Sequence, residues 1–149
     1  MSLDIDGFKN INDTYGHGDG DLLLVEFAAR LKGSLREFDS VIRLGGDEFL
    51  ILAPELKSRV EVESVVTRLL ESVRPAVQLT NAVVCLTCSI GIALYPQNGT
   101  TPDELMANSD RALYMAKERG KNCYAFFEPE ETTALTNTPA PTGENQNAF

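Results

Sequence analysis

Two glycines and two acidic residues interrupt what would otherwise be one apolar strand, in the stretch RLGGDEFLIL from Arg43 to Leu52. Because glycine adopts a positive φ at little steric cost, a glycine pair between two apolar runs predicts a tight β-hairpin. The arms would be SVIRL and EFLIL, with Gly45-Gly46-Asp47-Glu48 at the tip. Acidic residues at a turn are usually just solvated, so this stretch alone leaves their role open.

The spacing of apolar residues predicts alternating strands and helices along the rest of the chain. Thr101 and Glu104 form a capping box around Pro102, which predicts a helix from there to about Arg119, ended by Gly120. The other predicted elements are a strand at Ser2–Ile5 leading into a loop at Gly7, a helix from Asp21 (DLLLVEFAARLKGSL), a helix in SRVEVESVVTRLLESV, a buried strand in AVVCLTCSIGIALY and a short strand in NCYAFFE.

This order of elements predicts an α+β fold, an α/β sandwich in which helices cover a mixed central sheet. After Pro129 the sequence turns to Thr, Pro, Asn, Glu and Gly, with almost nothing to bury. We therefore expect one domain over residues 1–128 and a disordered tail or interdomain linker over residues 129–149.

Composition restricts the partners and the compartment. The net charge of −9 disfavours nucleic acid and anionic lipid, so a bound nucleotide would need a divalent cation or a local basic patch. No apolar run approaches the roughly 20 residues that a membrane span needs, and no signal peptide is evident. Three cysteines, an odd number, suit a reducing, cytoplasmic setting. Cys85 and Cys88 would point to opposite faces of a strand, which argues against zinc.

Acidic residues stand at the ends of two predicted strands. Asp4 and Asp6 end the first strand, and Asp47 and Glu48 form the hairpin tip. If the first strand lies beside the hairpin, Asp4 and Asp47 face a common point. Clustered carboxylates without matching cations suggest Mg²⁺ or Mn²⁺, shared with substrate phosphates. The alternative is two separate, solvated acid pairs.

Four stretches together resemble the successive signatures of the GGDEF, or diguanylate cyclase, family. They are DIDGFKNINDTYGHGDGD, RLGGDEF, CSIGIALYP and SDRALYMAKERGKN, in the family's order and at its spacing, covering Asp4 to about Phe127. The resemblance implies a fold similar to the adenylyl cyclase core or the polymerase palm. It also implies condensation of two GTP into cyclic di-GMP and two pyrophosphates, with one GTP on each half of a homodimer.

The resemblance assigns a metal and catalytic group. Asp4, the carbonyl of Ile5, Asp47 and Glu48 would hold Mg²⁺ or Mn²⁺. Asp47 would also lie nearest the 3′-hydroxyl that loses its proton. The catalytic group would comprise Asp47, Glu48 and Lys9.

The resemblance also assigns substrate contacts. Asn12 and Asp21 would read guanine, since an ionised carboxylate can accept hydrogen bonds from both N1–H and the exocyclic amine. His17 would either touch the nucleotide or serve the structure. The remaining implied contacts are phosphate contacts by the backbone of Gly7, Phe8 and Lys9, close backbone approach at Gly45 and Gly46, and terminal-phosphate contacts by Lys117 and Lys121. For both lysines the alternative is a favourable interaction with a helix C-terminus.

An R-x-x-D motif, Arg36 to Asp39, precedes the hairpin where the family keeps an inhibitory product site. Its guanidinium and carboxylate could pair with cyclic di-GMP, and Arg68 could complete the site. The alternative is chance, because a four-residue motif of this kind is common.

The chain departs from the family pattern in two places. It lacks the D-x-L-T-G-L-x-N-R segment before the first strand, so we expect a fragment of a larger protein with sensor or other domains. At position 121 the family more often has Arg. Lys121 keeps the positive charge but loses the bidentate contact that Arg makes with a phosphate.

The stretch FFEPE, Phe126 to Glu130, resembles a junction to an EAL phosphodiesterase domain. The alternative function is thus a non-catalytic module that binds GTP or cyclic di-GMP and controls a neighbouring domain.

Overall fold

The computed structural model of the chain describes residues 1–129. Within that range four helices and seven strands follow one another. In chain order they are β1 (Ser2–Ile5), α1 (Phe8–Tyr15), α2 (His17–Ser34), β2 (Ser40–Gly45), β3 (Glu48–Leu52), α3 (Arg59–Val73), β4 (Val77–Gln78), β5 (Val83–Val84), β6 (Cys88–Ile92), α4 (Pro102–Glu118) and β7 (Tyr124–Phe126). Residues 130–149 of the predicted tail lie outside the described part. None of the four helices is long and apolar enough to cross a membrane.

Five strands form the central sheet, in the order β2-β3-β1-β6-β7. The middle strand, β1, runs antiparallel to both β3 and β6, whereas β6 and β7 are parallel. Strands β4 and β5 form a separate two-stranded sheet. The predicted α+β fold, with a mixed sheet and covering helices, is confirmed.

Alternate residues of β1 face the two helical layers, because successive side chains of a strand point to opposite faces. Leu3 is fully buried and pairs across the sheet with Phe49, whose ring lies 5.2 Å from that of Phe27 in α2. Ser2 faces the other way, where its hydroxyl lies 2.7 Å from the hydroxyl of Ser109 in α4. Helices α2 and α3 therefore cover one face, and α4 covers the other over β1, β6 and β7.

The start of α2 and the segment before it differ from the prediction. The predicted loop after Gly7 is helix α1, and α2 begins at His17 rather than at Asp21. Gly7 and Gly16 flank α1 with positive φ values of 73° and 86°. The helix buries only Phe8. A two-turn helix with a single buried side chain carries too little apolar periodicity to be recognised in a sequence.

The predicted long strand AVVCLTCSIGIALY is two strands in two sheets. Strand β5 pairs with β4, and the chain then passes into β6, which pairs with β1 and β7. Every residue of β6 is buried, since helices pack on both faces. Cys85, between the two strands, is exposed whereas Cys88 is buried.

Helix α4 is placed by its N-terminal cap and by one close contact. Both hydrogen bonds of the capping box between Thr101 and Glu104 are present, as predicted, and Pro102 begins the helix. Gly91 of β6 lies directly under α4, where an added Cβ would sit 2.0 Å from the Ser109 carbonyl oxygen. Gly120, with φ 109°, follows the end of the helix.

Candidate functional site

The predicted hairpin joins β2 and β3 through a turn at Gly46 and Asp47. Gly46 has a φ of 53°, and its carbonyl accepts a hydrogen bond of 2.9 Å from Arg43 Nε. The φ of Gly45 is not positive, and no atom of the described residues lies within 4 Å of an added Cβ there. Backbone geometry therefore explains the glycine at position 46, but neither geometry nor packing explains the glycine at position 45.

The hairpin tip lies beside the end of β1, as the sequence analysis required. Asp4 pairs in register with Glu48 across β1 and β3. Burial raises the pKa of Asp4; a hydrogen bond from Lys117 opposes this shift, and the negative charges of Asp47 and Asp6 add to it. Asp47 and Asp6 therefore lie close enough to Asp4 for their negative charges to act on its carboxyl group.

Asp6 has a different role from its neighbour Asp4. Its carboxylate accepts hydrogen bonds from the hydroxyls of Thr87 (2.8 Å) and Ser89 (2.7 Å) and from the backbone N–H of Asn122 (2.9 Å). These contacts join the end of β1 to β6 and to the loop before β7. Asp6 is therefore a structural acceptor that fixes the end of the strand carrying Asp4. No local pattern in the sequence indicates this role.

The oxygen donors at this edge suit a hard divalent cation. Among residues 1–129, no three His, Cys, Asp or Glu side chains gather closely enough to enclose a metal ion by themselves. Asp4, Asp47, Glu48 and the Ile5 carbonyl nevertheless offer only oxygen, and Asp4 and Asp47 repel each other. This donor set fits an ion that takes its other ligands from a substrate or from water, as Mg²⁺ does.

The two predicted phosphate-binding lysines stand in different settings near the end of α4. Lys117 is in the last turn, and its Nζ lies 3.0 Å from Asp4 Oδ2. Lys121 follows the helix in a left-handed conformation, φ 65°, and is exposed. Lys117 is therefore paired with Asp4, whereas Lys121 precedes Asn122, whose backbone N–H donates to Asp6.

The first turn of α1 presents backbone rather than side chains. Gly7 precedes the helix in a left-handed conformation without a side-chain cap. The Phe8 side chain is buried in the core, so only its backbone N–H can meet a ligand, and Lys9 is exposed. His17, the first residue of α2, is exposed as well.

The two predicted base-reading residues lie close together because α1 and α2 pack through a glycine. An added Cβ at Gly20 would lie 1.8 Å from Asn12 Oδ1, so only glycine allows this approach. That oxygen is buried and has no hydrogen-bond partner among the described residues. Buried acceptors are normally paired, so Asn12 has unused hydrogen-bonding capacity. Asp21, directly after Gly20, is exposed.

The R-x-x-D residues border a cavity of about 570 Å³ between the α2–β2 loop and the loop after β3. Arg36 and Asp39 line it together with Phe38, Pro54, Glu55, Lys57 and Glu61. Asp39 Oδ2 accepts a hydrogen bond of 2.9 Å from the Arg36 backbone N–H, which leaves the guanidinium uncommitted to Asp39. Arg68 does not line this cavity; its Nε donates to the Ser34 carbonyl (2.8 Å) at the end of α2.

Comparison with known proteins gives the same family throughout. The family model described as "Diguanylate cyclase, GGDEF domain" matches residues 1–123. The bifunctional diguanylate cyclase/cyclic di-GMP phosphodiesterase MucR of Pseudomonas aeruginosa is 45% identical over 128 residues, which are 86% of this chain and 18% of MucR. The chain thus spans about a fifth of that relative's length.

Solved structures agree in fold. The GGDEF domain of TpbB (YfiN) from Pseudomonas aeruginosa matches with a TM-score of 0.83 and 39% identity, covering 85% of this chain and 80% of that one. The GGDEF domain of DgcB from Caulobacter crescentus, solved in complex with c-di-GMP, matches with a TM-score of 0.75 and 28% identity, covering 84% and 74%. The family model covers most of the chain, and the fold agrees with it. The chain belongs to the GGDEF domain family of diguanylate cyclases.

Proposed function

We propose that this domain condenses two GTP molecules into cyclic di-GMP and two pyrophosphates, with one GTP on each half of a homodimer. The observation that carries the proposal is the position of the hairpin tip beside the end of β1, where Asp4 pairs in register with Glu48 and the charge of Asp47 acts on Asp4. An acidic residue whose pKa is shifted by burial and by specific charged neighbours is typical of functional sites. The names of the relatives support the same activity.

The ligands of Mg²⁺ or Mn²⁺ would be Asp4, the Ile5 carbonyl, Asp47 and Glu48. When bound, the ion would neutralise the negative charge that develops on the attacked phosphate. Asp47, at the turn, would lie nearest the 3′-hydroxyl that loses its proton, as the resemblance to the family implies. Glu48 supports the same group from the neighbouring position of β3.

Side chains and backbone groups around this centre would orient the nucleotide. The N–H groups of Phe8 and Lys9, at the start of α1 after Gly7, face the phosphates, because the first N–H groups of a helix have no partner within it. The Lys9 ammonium adds positive charge there. Lys117 and Lys121 neutralise the terminal phosphates, Lys117 from its position beside Asp4.

Guanine would be read between α1 and α2. Asn12 offers its unpaired buried oxygen, and Asp21 offers a carboxylate to the N1–H and the exocyclic amine of guanine. Adenine presents neither donor in that arrangement, so the site selects GTP. His17 would border the nucleotide at the start of α2.

A second binding site for the product would lie in the Arg36–Asp39 cavity. Its volume of about 570 Å³ and its mixed charges suit a nucleotide ligand, and it lies apart from the carboxylate group. Arg36 would pair with a phosphate or guanine edge, and Asp39 would accept from guanine. The contact of Arg68 with Ser34 favours Arg36 and Asp39 as the ligand-binding pair.

The same cavity keeps a second candidate function open. A module that holds GTP or cyclic di-GMP without turnover could control an attached EAL phosphodiesterase or sensor domain. The name of MucR joins a cyclase and a phosphodiesterase activity in one protein, which supports the expectation of an attached phosphodiesterase domain.

Incubation with GTP and Mg²⁺, followed by chromatography of the products, tests the proposal. Wild-type protein should form cyclic di-GMP and pyrophosphate. Asp47→Asn, which keeps the shape but removes the charge, should form neither, with an unchanged melting temperature. GTP binding without any product from the wild-type protein would favour the regulatory module. Near wild-type turnover by Asp47→Asn would contradict the role of Asp47.

A further inference from the structure

A buried acidic residue with no part in the proposed chemistry lies between the two base-reading residues. Asp19 is only 9% exposed, in the first turn of α2. Its Oδ1 accepts two hydrogen bonds from Thr80, one from the backbone N–H (3.1 Å) and one from the hydroxyl (2.6 Å). These contacts join positions 61 residues apart in the chain.

Thr80 lies in the turn between β4 and β5, and that hairpin is itself fixed. Its turn is closed by a hydrogen bond of 2.8 Å from the Leu79 N–H to the Ala82 carbonyl. Leu79 and Val77 are 2% and 5% exposed and belong to the main core. The hairpin is thus anchored in the core, and its contact with α2 runs through Thr80 and Asp19.

Three consecutive residues near the start of α2 have different surroundings. Asp19, in the first turn, is held by Thr80; Gly20 packs directly against the Asn12 amide; and Asp21 is exposed. A shift of this turn moves Asp21 and changes the space around Asn12 at once. The two residues are in close contact, because an added Cβ at Gly20 would lie 1.8 Å from Asn12 Oδ1.

We propose that Asp19 and Thr80 form a positioning pair that sets the base specificity of the nucleotide site, with the β4–β5 hairpin as its support. Neither residue touches the nucleotide. The pair acts through Asn12 and Asp21, and the inference therefore rests on the proposed role of those two residues in binding guanine.

Favourable interaction of an acidic residue with the N-terminus of α2 is the competing explanation for Asp19. That interaction needs the charge and not Thr80, and its loss would lower helix stability without changing the choice of base. The hydrogen bonds from Thr80 need an acceptor and not a charge. The two explanations therefore predict opposite behaviour for Asp19→Asn, which keeps Oδ1 as an acceptor and loses the charge.

Equilibrium binding tests the pair without requiring turnover. The ligands are the α,β-methylene analogues of GTP and ITP, which cannot be cleaved at the α-phosphate, titrated with Mg²⁺ into the chain by calorimetry. ITP lacks the exocyclic amine whose hydrogen bond the Asp21 carboxylate would accept. The ratio of the affinities for the GTP and ITP analogues therefore reports on the position of Asp21.

Asp19→Ala and Thr80→Val should each weaken binding of the GTP analogue by about three- to tenfold and lower its preference over the ITP analogue. Thr80→Val removes the hydroxyl but keeps the backbone N–H donor, so its effect should not exceed that of Asp19→Ala, and the double variant should be no weaker than Asp19→Ala. Asp19→Asn and Thr80→Ser keep the acceptor and the donor, and should restore the preference to near the wild-type ratio.

Equal weakening of both analogues by Asp19→Ala would show a purely structural residue and would overturn the inference, as would unchanged binding. If wild-type protein binds the GTP analogue and both Asp19→Ala and Thr80→Val keep its affinity and its preference, only this inference is contradicted. Wild-type protein that binds neither analogue contradicts the proposed function and the positioning pair together. Melting temperatures measured for every variant separate a lost fold from a lost preference.

Discussion

Lys117 holds its ammonium nitrogen 3.0 Å from Oδ2 of Asp4, which links the last turn of α4 to the middle strand of the sheet. The Asp4 side chain is 13% exposed and that of Lys117 is 37% exposed. Burial raises the pKa of Asp4, and the hydrogen bond and charge of Lys117 counteract part of that shift. The carboxylate that we assign to the metal therefore stays charged partly through a residue that we assign to the phosphates.

Replacing Lys117 by Met should raise the pKa of Asp4 further. Because the folded-state pKa of this acid is above its unfolded value, the folded protein binds the proton more tightly. The contribution of Asp4 to the free energy of unfolding is therefore fully present below the pKa that Asp4 has in the unfolded chain. This contribution falls as the pH rises through the pKa that Asp4 has in the folded protein. Lys117→Met should steepen this fall, as measured by denaturation from about pH 3 to about pH 8 and by NMR titration of Asp4.

Asp4→Asn provides the control for that measurement. In the Asp4→Asn background, Lys117→Met should produce no extra loss of stability with rising pH. An equally steep loss in both backgrounds would mean that Lys117 acts on some other group.

Asp21→Asn should weaken GTP binding, because it places an amide donor where guanine also presents donors. A loss of roughly 1–3 kcal/mol is expected for polar groups left unsatisfied. Asp13→Asn is a matched control, since Asp13 is an exposed acid on the neighbouring helix α1. Calorimetric titration with GTP and Mg²⁺ should separate the two variants. Similar affinities for both would remove Asp21 from the base-reading role.

Arg36→Ala should weaken product inhibition while the initial rate stays close to wild type. Arg36 lines the cavity that lies apart from the carboxylate group, so losing its guanidinium removes a charge-assisted contact with cyclic di-GMP only. A product bound there can keep two GTP-loaded halves from meeting, which stops turnover without touching a catalytic group.

Arg68→Ala is the comparison for this experiment. It removes the hydrogen bond to Ser34 at the end of α2, so it should lower stability by about 0.5–1.5 kcal/mol and leave product affinity unchanged. Titration of cyclic di-GMP against the wild type and both variants distinguishes them. Equal inhibition of wild type and Arg36→Ala would identify the R-x-x-D motif as a chance match.

Gly91→Ala should destabilise the fold, because α4 leaves no room above β6. The added Cβ would lie 2.0 Å from the Ser109 carbonyl oxygen and 2.2 Å from the Leu113 nitrogen, and neither backbone atom can move without moving the helix. Such overpacking costs about 1–3 kcal/mol or more. Gly33→Ala is the control: no atom of the described residues lies within 4 Å there, and alanine in α2 should stabilise by about 0.5–1 kcal/mol. Denaturant unfolding measures both, and equal stabilities would contradict the packing described for α4.

The elements predicted correctly from the sequence are those with local signals. The hairpin at Gly45 and Gly46 and the capped helix from Pro102 depend on residues within a few positions of each other. The same holds for α3, whose buried valines and leucines repeat at helical spacing. The resemblance to the family then supplied roles that spacing could not.

The features that sequence reasoning missed depend on distant residues. The contact between Asp19 and Thr80 spans 61 positions, and Asp6 reaches Thr87 and Ser89 across 81 and 83 positions. No periodicity reports such pairs, because they arise only when β6 and the β4–β5 hairpin pack beside the start of the chain. The division of one apolar run between β5 and β6 was missed for the same reason, since β-branched residues suit either sheet.

Gly45→Ala is the sharpest test of why the glycine pair exists. Residue 45 needs no positive φ, and no described atom lies near an added Cβ, so the variant should keep the wild-type melting temperature. If a nucleotide approaches the backbone there, the methyl group occupies its space and GTP affinity and turnover should both fall. Gly46→Ala differs, because a φ of 53° should also cost about 1–2 kcal/mol of stability in a non-glycine residue. Thermal melting and GTP titration of the two variants measure both effects. Unchanged GTP affinity in Gly45→Ala would contradict a close approach of the nucleotide to the backbone at position 45.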